Sequence, residues 1–490
     1  MLTTDSPLNK KSGHRTTRIS ENSKILVAIA PRRLSALLAV ALFLLLPRFA
    51  SAQAPLPLER ISAPIDDGQV TQLKGNLHPL ATPANDLGVV DSSMQLRGIT
   101  IMFQPTAAQK ADLDALLPSL QDPASPNFHK WLSPKQYGVR FGIAPADMAK
   151  ISAWLESKGL VVVETPLSQN FIVVSGTAGQ VSAAFHTEIH NYTAKGENIF
   201  ANSTEPSAPA AFAGLIAGFR GLHTIRARPH SIRSAPSISK IQPHFTSASS
   251  TNNYISPLDF QTIYDLTPLY NAVPKIDGTG QGIVVVGQSN INAADVATFQ
   301  TASGIPLNPP SIIETPDSAA SVLVPGDVDE AYLDVEWAGA VANKASITLI
   351  YDEVGSTGTG GGVFGALQYA ISHNTAPVIS MSYGSCEATY SVSSVQSIVL
   401  LAQQANAQGI TIVTAAGDAG ATDCEPIVST STTPANYPAQ LGLNVDFPSS
   451  MPYVTAVGGT EFAESIGGSQ STYWNPATSS TKDLVNSAKS

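Results

Sequence analysis

From Gly282 onward, short runs of uninterrupted apolar residues alternate with stretches of helical periodicity, and this alternation restricts the fold more than any other feature of the chain. Gly282–Gly287 (GIVVVG), Ser346–Ile350, Pro377–Met381 and Ile410–Val413 read as strands. Asp329–Ala342, Phe364–His373 and Val392–Ala407 between them read as helices, the last closed by Gly409. A strand that is apolar at every position has no face to give to water. Such strands, separated by helices, predict a parallel sheet covered on both sides. Ligand sites in sheets of this kind lie beyond the carboxyl ends of the strands, so the residues just after each strand are the first candidates for chemistry.

The chain before this region has a different character. Leu96–Phe103 reads as a strand, and Ala107–Leu120 as a helix with Leu113, Leu116, Leu117 and Leu120 on one face. Ala146–Lys158 is a second helix ended by Gly159, followed by strands at Leu160–Glu164 and Asn170–Ser175. A third helix at Ala178–Phe185 leads into a strand through Ile189 and Tyr192. The pattern predicts a compact α+β domain over residues 53–222. Residues 223–253 lose apolar periodicity and are rich in Ser, Pro, Arg and His; they read as an exposed basic linker containing Arg226, Arg228 and Arg233, where nicking concentrates. Residues 1–52 read as an export signal. Basic residues from Lys10 to Arg33 precede an apolar run at Leu34–Leu46, and Ala50-Ser51-Ala52 supplies a small-x-small cleavage pattern before Gln53. The run is short for a membrane span. Arg32-Arg33 leaves both general and twin-arginine export open. The expectation is a secreted or periplasmic protein with no stable membrane span.

Composition narrows the function classes. Charged residues make up only 13% of the 490 and hydrophobic ones 43%, with 27 Lys+Arg against 37 Asp+Glu for a net charge of −10. An acidic, weakly charged globular chain excludes a nucleic-acid partner and suits work at low pH, where carboxylates neutralise. The two cysteines, Cys386 and Cys424, favour one disulfide in an exported protein, with two buried thiols as the alternative.

Three carboxylates stand out. Glu330 and Asp334 lie four apart on a predicted helix and therefore share a face. Like charges at that spacing cost a helix a few tenths of a kcal/mol, roughly, and paired carboxylates shift each other's titration. The plainer reading is a solvated acidic face, since Asp327, Asp329 and Glu336 lie nearby. Asp418 follows a buried strand within Ala416-Gly417-Asp418-Ala419-Gly420, where a turn aspartate is the plainer alternative. Histidine is scarce in this half: His373 is the one residue of its type after Tyr254, and it reads as a helix cap. A Ser-His-Asp hydrolase would have to use it, and no Gly-x-Ser-x-Gly elbow is present.

Several segments, in order, resemble the sedolisin family of serine-carboxyl peptidases, which includes the kumamolisins. Glu330-Ala331-Tyr332-Leu333-Asp334 is similar to the family's Glu-x-x-x-Asp segment, and Ser380-Met381-Ser382-Tyr383-Gly384 to its substrate-binding edge. Ala415-Ala416-Gly417-Asp418 is similar to its oxyanion-aspartate segment, with Pro452–Val457 and Gly458-Gly459-Thr460 following in order. Upstream, Asn127–Pro134 and Tyr137-Gly138 resemble the pro-kumamolisin activation domain. The resemblance implies a subtilisin-like α/β peptidase domain over residues 254–490, incomplete, and a ferredoxin-like activation propeptide over 53–222, with a processing site in the 223–253 linker. It implies Glu330 as general base, Asp334 as its orienting partner, and Asp418 as a donor to the oxyanion while protonated. It assigns Ser382, Tyr383 and Gly384 to substrate binding, and polypeptides and the chain's own propeptide as partners. A carboxylate base suits acid, where imidazole is already protonated.

The resemblance also implies a serine nucleophile in a Gly-Thr-Ser segment and a calcium ion, both held in a part of the family for which this sequence has no match. No Gly-Thr-Ser tripeptide occurs in the 490 residues, and Ser490 stands only 30 positions after Thr460. Ser469 and Ser471 lie in a polar stretch with no helix behind them. The expectation is an incomplete peptidase precursor, inactive as written, with no assignable calcium ligand. The alternative is a non-catalytic secreted inhibitor or peptide-binding remnant. The sequence assigns no oligomeric state.

Overall fold

Each of three helices in the first half begins with a reciprocal cap. Thr106 with Gln109, Ser133 with Gln136, and Thr177 with Gln180 each exchange side-chain and backbone bonds across the first turn, satisfying amides that a helix start leaves open. The computed structural model describes residues 57–194, 197–224, 226–229, 255–318, 323–353, 361–425 and 441–460. The proposed export signal, the linker after Pro229, and Ser469 and Ser471 lie outside the described residues.

Strand β1 (Gln95–Phe103) leads into helices α1 (Ala107–Gln121), α2 (Pro134–Phe141) and α3 (Pro145–Ser157). Strands β2 (Val161–Glu164) and β3 (Phe171–Thr177), helix α4 (Ala178–Phe185) and strand β4 (Ile216–Arg220) follow. The four strands form one antiparallel sheet in the order β2-β3-β1-β4. That is a βαββαβ arrangement of the ferredoxin-like kind, as the family resemblance implies, and it fits the α+β domain that the sequence pattern predicts. Its core gathers Ile99, Ile101, Ile172, Val174, Trp154 and Phe185 on one sheet face, with Trp154 edge-on to Phe185 and Phe212 at 5.7 and 5.2 Å.

The second half is the parallel sheet. Strands β6 (Gly282–Gly287), β7 (Ser311–Glu314), β8 (Ser346–Tyr351), β9 (Val378–Met381), β11 (Thr411–Ala415) and β13 (Thr455–Val457) run parallel in the order β7-β8-β6-β9-β11-β13. Helix α5 (Val328–Val341) covers one face; α6 (Gly362–Ser372) and α7 (Val392–Ala407) cover the other. Alternation within β6 shows why the strand is apolar throughout. Val285 packs with Ala331, Tyr332 and Val335 of α5, whereas Val284 and Val286 pack with residues of α6 and α7. His373 caps α6, its backbone N–H donating to Tyr369 O at 3.1 Å, as predicted.

The free face of the activation-domain sheet is not solvated. Met102, Phe171 and Val173 join the same buried cluster as α6 and α7. Polar bonds cross the same junction: Asn170 donates to Gln404 at 2.8 Å, and the buried Arg220 donates to Gln368 at 2.7 Å. Gly218 of β4 lies so close to α7 that an added Cβ would stand 2.4 Å from the Ser393 Cβ.

One expectation needs correction. Arg226 and Arg228 are exposed, as expected, but the linker after Leu222 is not without structure: Arg228–Pro229 forms a short strand, β5, paired antiparallel with β10 (Tyr383–Cys386). Ala227 beside it is 2% exposed. A two-residue strand has no periodicity to read, and the strand it pairs with lies more than 150 residues further along the chain. Strand β10 was likewise read as part of a strand and turn; it leaves the parallel sheet and pairs with β12 (Asp446–Phe447) on its other side.

Candidate active site

Helix α5 runs back along the sheet and places its first turn at the carboxyl ends of the strands. Asp329 and Glu330 occupy that turn, where the helix dipole favours negative charge. Tyr332 and Val335 of α5 are buried against the sheet, which fixes the rotation of the helix and sets Glu330 and Asp334 on an adjoining stripe. Glu330 is 2% exposed and Asp327 1%, so these two carboxylates belong to no solvated face, whereas Asp329 between them is exposed. Ser382, the residue after β9, donates its hydroxyl to Asp334 Oδ1 at 2.7 Å. Tyr383, fully buried, has its phenol pushed far up by burial and by the surrounding carboxylates of Asp327, Asp334 and Glu330. The structure thus brings Glu330, Asp334, Ser382 and Tyr383 together at one end of the sheet.

Asp418 stands at the same end on the next strand but one from the centre. Strand β11 pairs with β9 so that Met381 lies beside Thr414; Asp418 therefore follows its strand as Ser382 follows β9, a few residues further on. It is exposed. Gly417 before it has φ +82° and stands close to Asp423 and Asp446, a conformation that favours glycine. Cys386 and Cys424 form a disulfide, which ties the loop after Asp418 to the end of β10.

Two residues that sequence reasoning did not single out organise the site. Gln288 directly follows the central strand β6, at the point where the chain turns from one side of the sheet to the other. Its Nε2 donates to Asp327 Oδ1 at 3.0 Å and to Ala227 O at 3.2 Å, and its Oε1 accepts from Val363 N at 3.3 Å. Asp327 occupies the N-cap position of α5 without a side-chain cap bond; it receives Gln288 and the Arg226 guanidinium, at 3.1 Å. An uncapped aspartate at a helix start is the sequence signal that only a structure can turn into an assignment.

Glu336, also on α5, is pushed up to about 8 by burial and then by the Asp295 charge. In the unfolded chain it ionises near 4.5. Between those values the folded state keeps a proton that the unfolded state has released, so stability falls as pH rises across that window and is fully present below it. Glu336→Gln is expected to leave thermal stability at pH 4 unchanged and to raise it at pH 7.5 by about 1–2 kcal/mol, several degrees in Tm. Thermal unfolding at the two pH values measures it; an equal shift at both would assign the effect to packing.

Among the described residues, no group of three or more His, Cys, Asp or Glu side chains is placed to hold a metal ion. Among the same residues, no helix is long and apolar enough to cross a membrane.

The pro-kumamolisin activation domain matches residues 83–225, and the subtilase family matches residues 320–485. Sedolisin from Pseudomonas sp. (strain 101) is 28% identical over 378 residues, covering 75% of this chain and 60% of that protein. These matches support a precursor similar to the sedolisins. Xanthomonalisin from Xanthomonas sp. (strain T-22) is 28% identical over 428 residues, and kumamolisin from Bacillus sp. (strain MN-32) 26% identical over 412. The alignments cover 84% and 82% of this chain, and 49% and 69% of those two proteins. The chain thus spans about half to two thirds of the length of these sedolisins. A solved structure of Pseudomonas sedolisin is 24% identical, covering 48% of this chain and 62% of that one with a TM-score of 0.33. In this chain the region that matches the activation domain is seated against the region that matches the subtilase family.

Proposed function

We propose that this protein is the exported precursor, secreted or periplasmic, of an acid-active serine-type endopeptidase of the sedolisin kind. Glu330 is the general base, Asp334 holds it in place, and Asp418 in its protonated form donates to the oxyanion. The observation that carries the reading is the placement of Glu330 and Asp334 one helical turn apart beside Tyr383, with the Ser382 hydroxyl donating to Asp334. Peptide substrate lies along the Ser382-Tyr383-Gly384 edge. The pairing of Arg228–Pro229 with Tyr383 and Gly384 supports this, because an extended chain already adds itself to that edge. The activation domain and its linker therefore keep the cleft filled until the linker is cut.

The nucleophile this chemistry requires is a serine in a Gly-Thr-Ser segment, which the 490 residues do not contain. The base takes its proton and later returns it to the leaving amine. No calcium ligand is assigned.

Hydrolysis of a denatured protein between pH 3 and 7 tests the reading. A form that carries the serine segment is expected to be active in acid and to lose activity toward neutrality, as Asp418 ionises and stops donating. Asp418→Ala should cost about 10²–10³ in kcat. The 490-residue chain should be silent; activity in it would mean that another nucleophile operates.

A further inference from the structure

We infer that Asp327 forms a subsite for a basic side chain of the bound peptide, two residues before the one that pairs with Gly384. The inference rests on the reading of this cleft as peptide-binding and names the kind of sequence it selects. Arg228 is the residue opposite Gly384, so Arg226 is the one that fills the position.

The seated linker is held at successive residues. Pro229 and Arg228 pair with Tyr383 and Gly384. The carbonyl of Ala227 accepts from Gln288, and its side chain is buried in the apolar cluster that also holds Val363, Phe364 and Phe447. The Arg226 guanidinium meets Asp327 at 3.1 Å. The partners differ in exposure: the Arg226 side chain is 41% exposed, that of Asp327 1%. The carboxylate is thus a fixed part of the cleft wall, braced by Gln288, whereas the cation belongs to a segment that leaves when the linker is cut and released. A buried carboxylate stripped of its cation is strongly disfavoured. A peptide with arginine or lysine at the same position restores the pair; one with an apolar or acidic residue leaves the charge uncompensated. The same pair works as a latch before processing and as a selector afterwards.

The test uses the 490-residue chain carrying Arg226→Ala and Ala227→Asp, which removes the cation and forces a charge into the apolar cluster where Ala227 is buried, so that the linker is expelled. Two fluorescent peptides copy Thr224–His230, one unchanged and one with norleucine in place of the arginine that matches Arg226. The arginine peptide should bind roughly thirtyfold more tightly. A lysine version should recover most of that preference, and adding Asp327→Asn should abolish it. Equal binding of the arginine and norleucine peptides overturns the Asp327 subsite and leaves the peptide-binding cleft standing; binding of neither peptide overturns both. Hydrogen exchange gives a second reading that does not depend on the double variant. In the chain carrying Arg226→Ala alone, the amides of Ala227 and Arg228 should exchange about tenfold faster than in the parent. An unchanged rate overturns the pairing as a source of binding.

Discussion

Glu330→Gln, in a form of this protein that carries the serine segment, is expected to lower kcat/KM at pH 4 by about 10³-fold or more, with little change in KM. Glutamine keeps the shape and volume of a side chain that is 2% exposed but has no basic lone pair to accept the serine proton. Asp334→Asn should cost less, about 10- to 100-fold, because Asp334 acts as a positioning residue through its neighbour and through Ser382. Ser382→Ala separates the two roles. It removes the hydroxyl bond to Asp334 while leaving both carboxylates, so its loss should be smaller than that of Asp334→Asn. Steady-state kinetics on the three variants decides the matter. Equal activity of Glu330→Gln and the parent would remove Glu330 from the mechanism.

Gly218→Val should separate the two halves of the molecule. Strand β4 and helix α7 approach so closely at this point that a Cβ on residue 218 would stand 2.4 Å from the Ser393 Cβ and 3.3 Å from the Ser393 backbone. Neither element can yield freely. Gly218 lies inside the activation-domain sheet, and the Ser393 N–H donates to Gly75 O at 3.0 Å. Forcing extra volume into such a contact costs about 3 kcal/mol, which raises the open fraction by on the order of a hundredfold. Calorimetry should show one unfolding transition in the parent and two in the variant, and the linker should be nicked faster by added protease. Ser393→Gly combined with Gly218→Ala should restore the single transition, since it removes the side chain that the new Cβ meets. Persistence of one transition at the parental temperature in Gly218→Val would show that β4 and α7 can part without loss.

The uninterrupted apolar strands after Gly282 already required a parallel sheet buried on both faces, because Val284, Val285 and Val286 cannot all be satisfied otherwise. Leucine spacing placed α1 at Ala107–Leu120, within a residue of its observed end at Gln121. The four-residue interval between Glu330 and Asp334 sufficed to put both on one face of a helix. Their burial did not follow from it: Asp327, Asp329 and Glu336 made a solvated stripe equally consistent with the sequence, and only the packing of Tyr332 and Val335 against the sheet turned Glu330 inward.

What the sequence by itself determined were the local elements and their buried faces, since propensity, capping and apolar period act over a few residues. The tertiary structure alone decided which distant segments meet. Gln288 lies at the end of the central strand; Ala227 and Arg226 belong to a stretch that reads as linker; Asp327 looks like an ordinary helix cap. Their meeting at one cleft depends on the order of strands in the sheet and on the docking of the activation domain, which joins residues far apart in the chain by contacts that leave no period in the sequence.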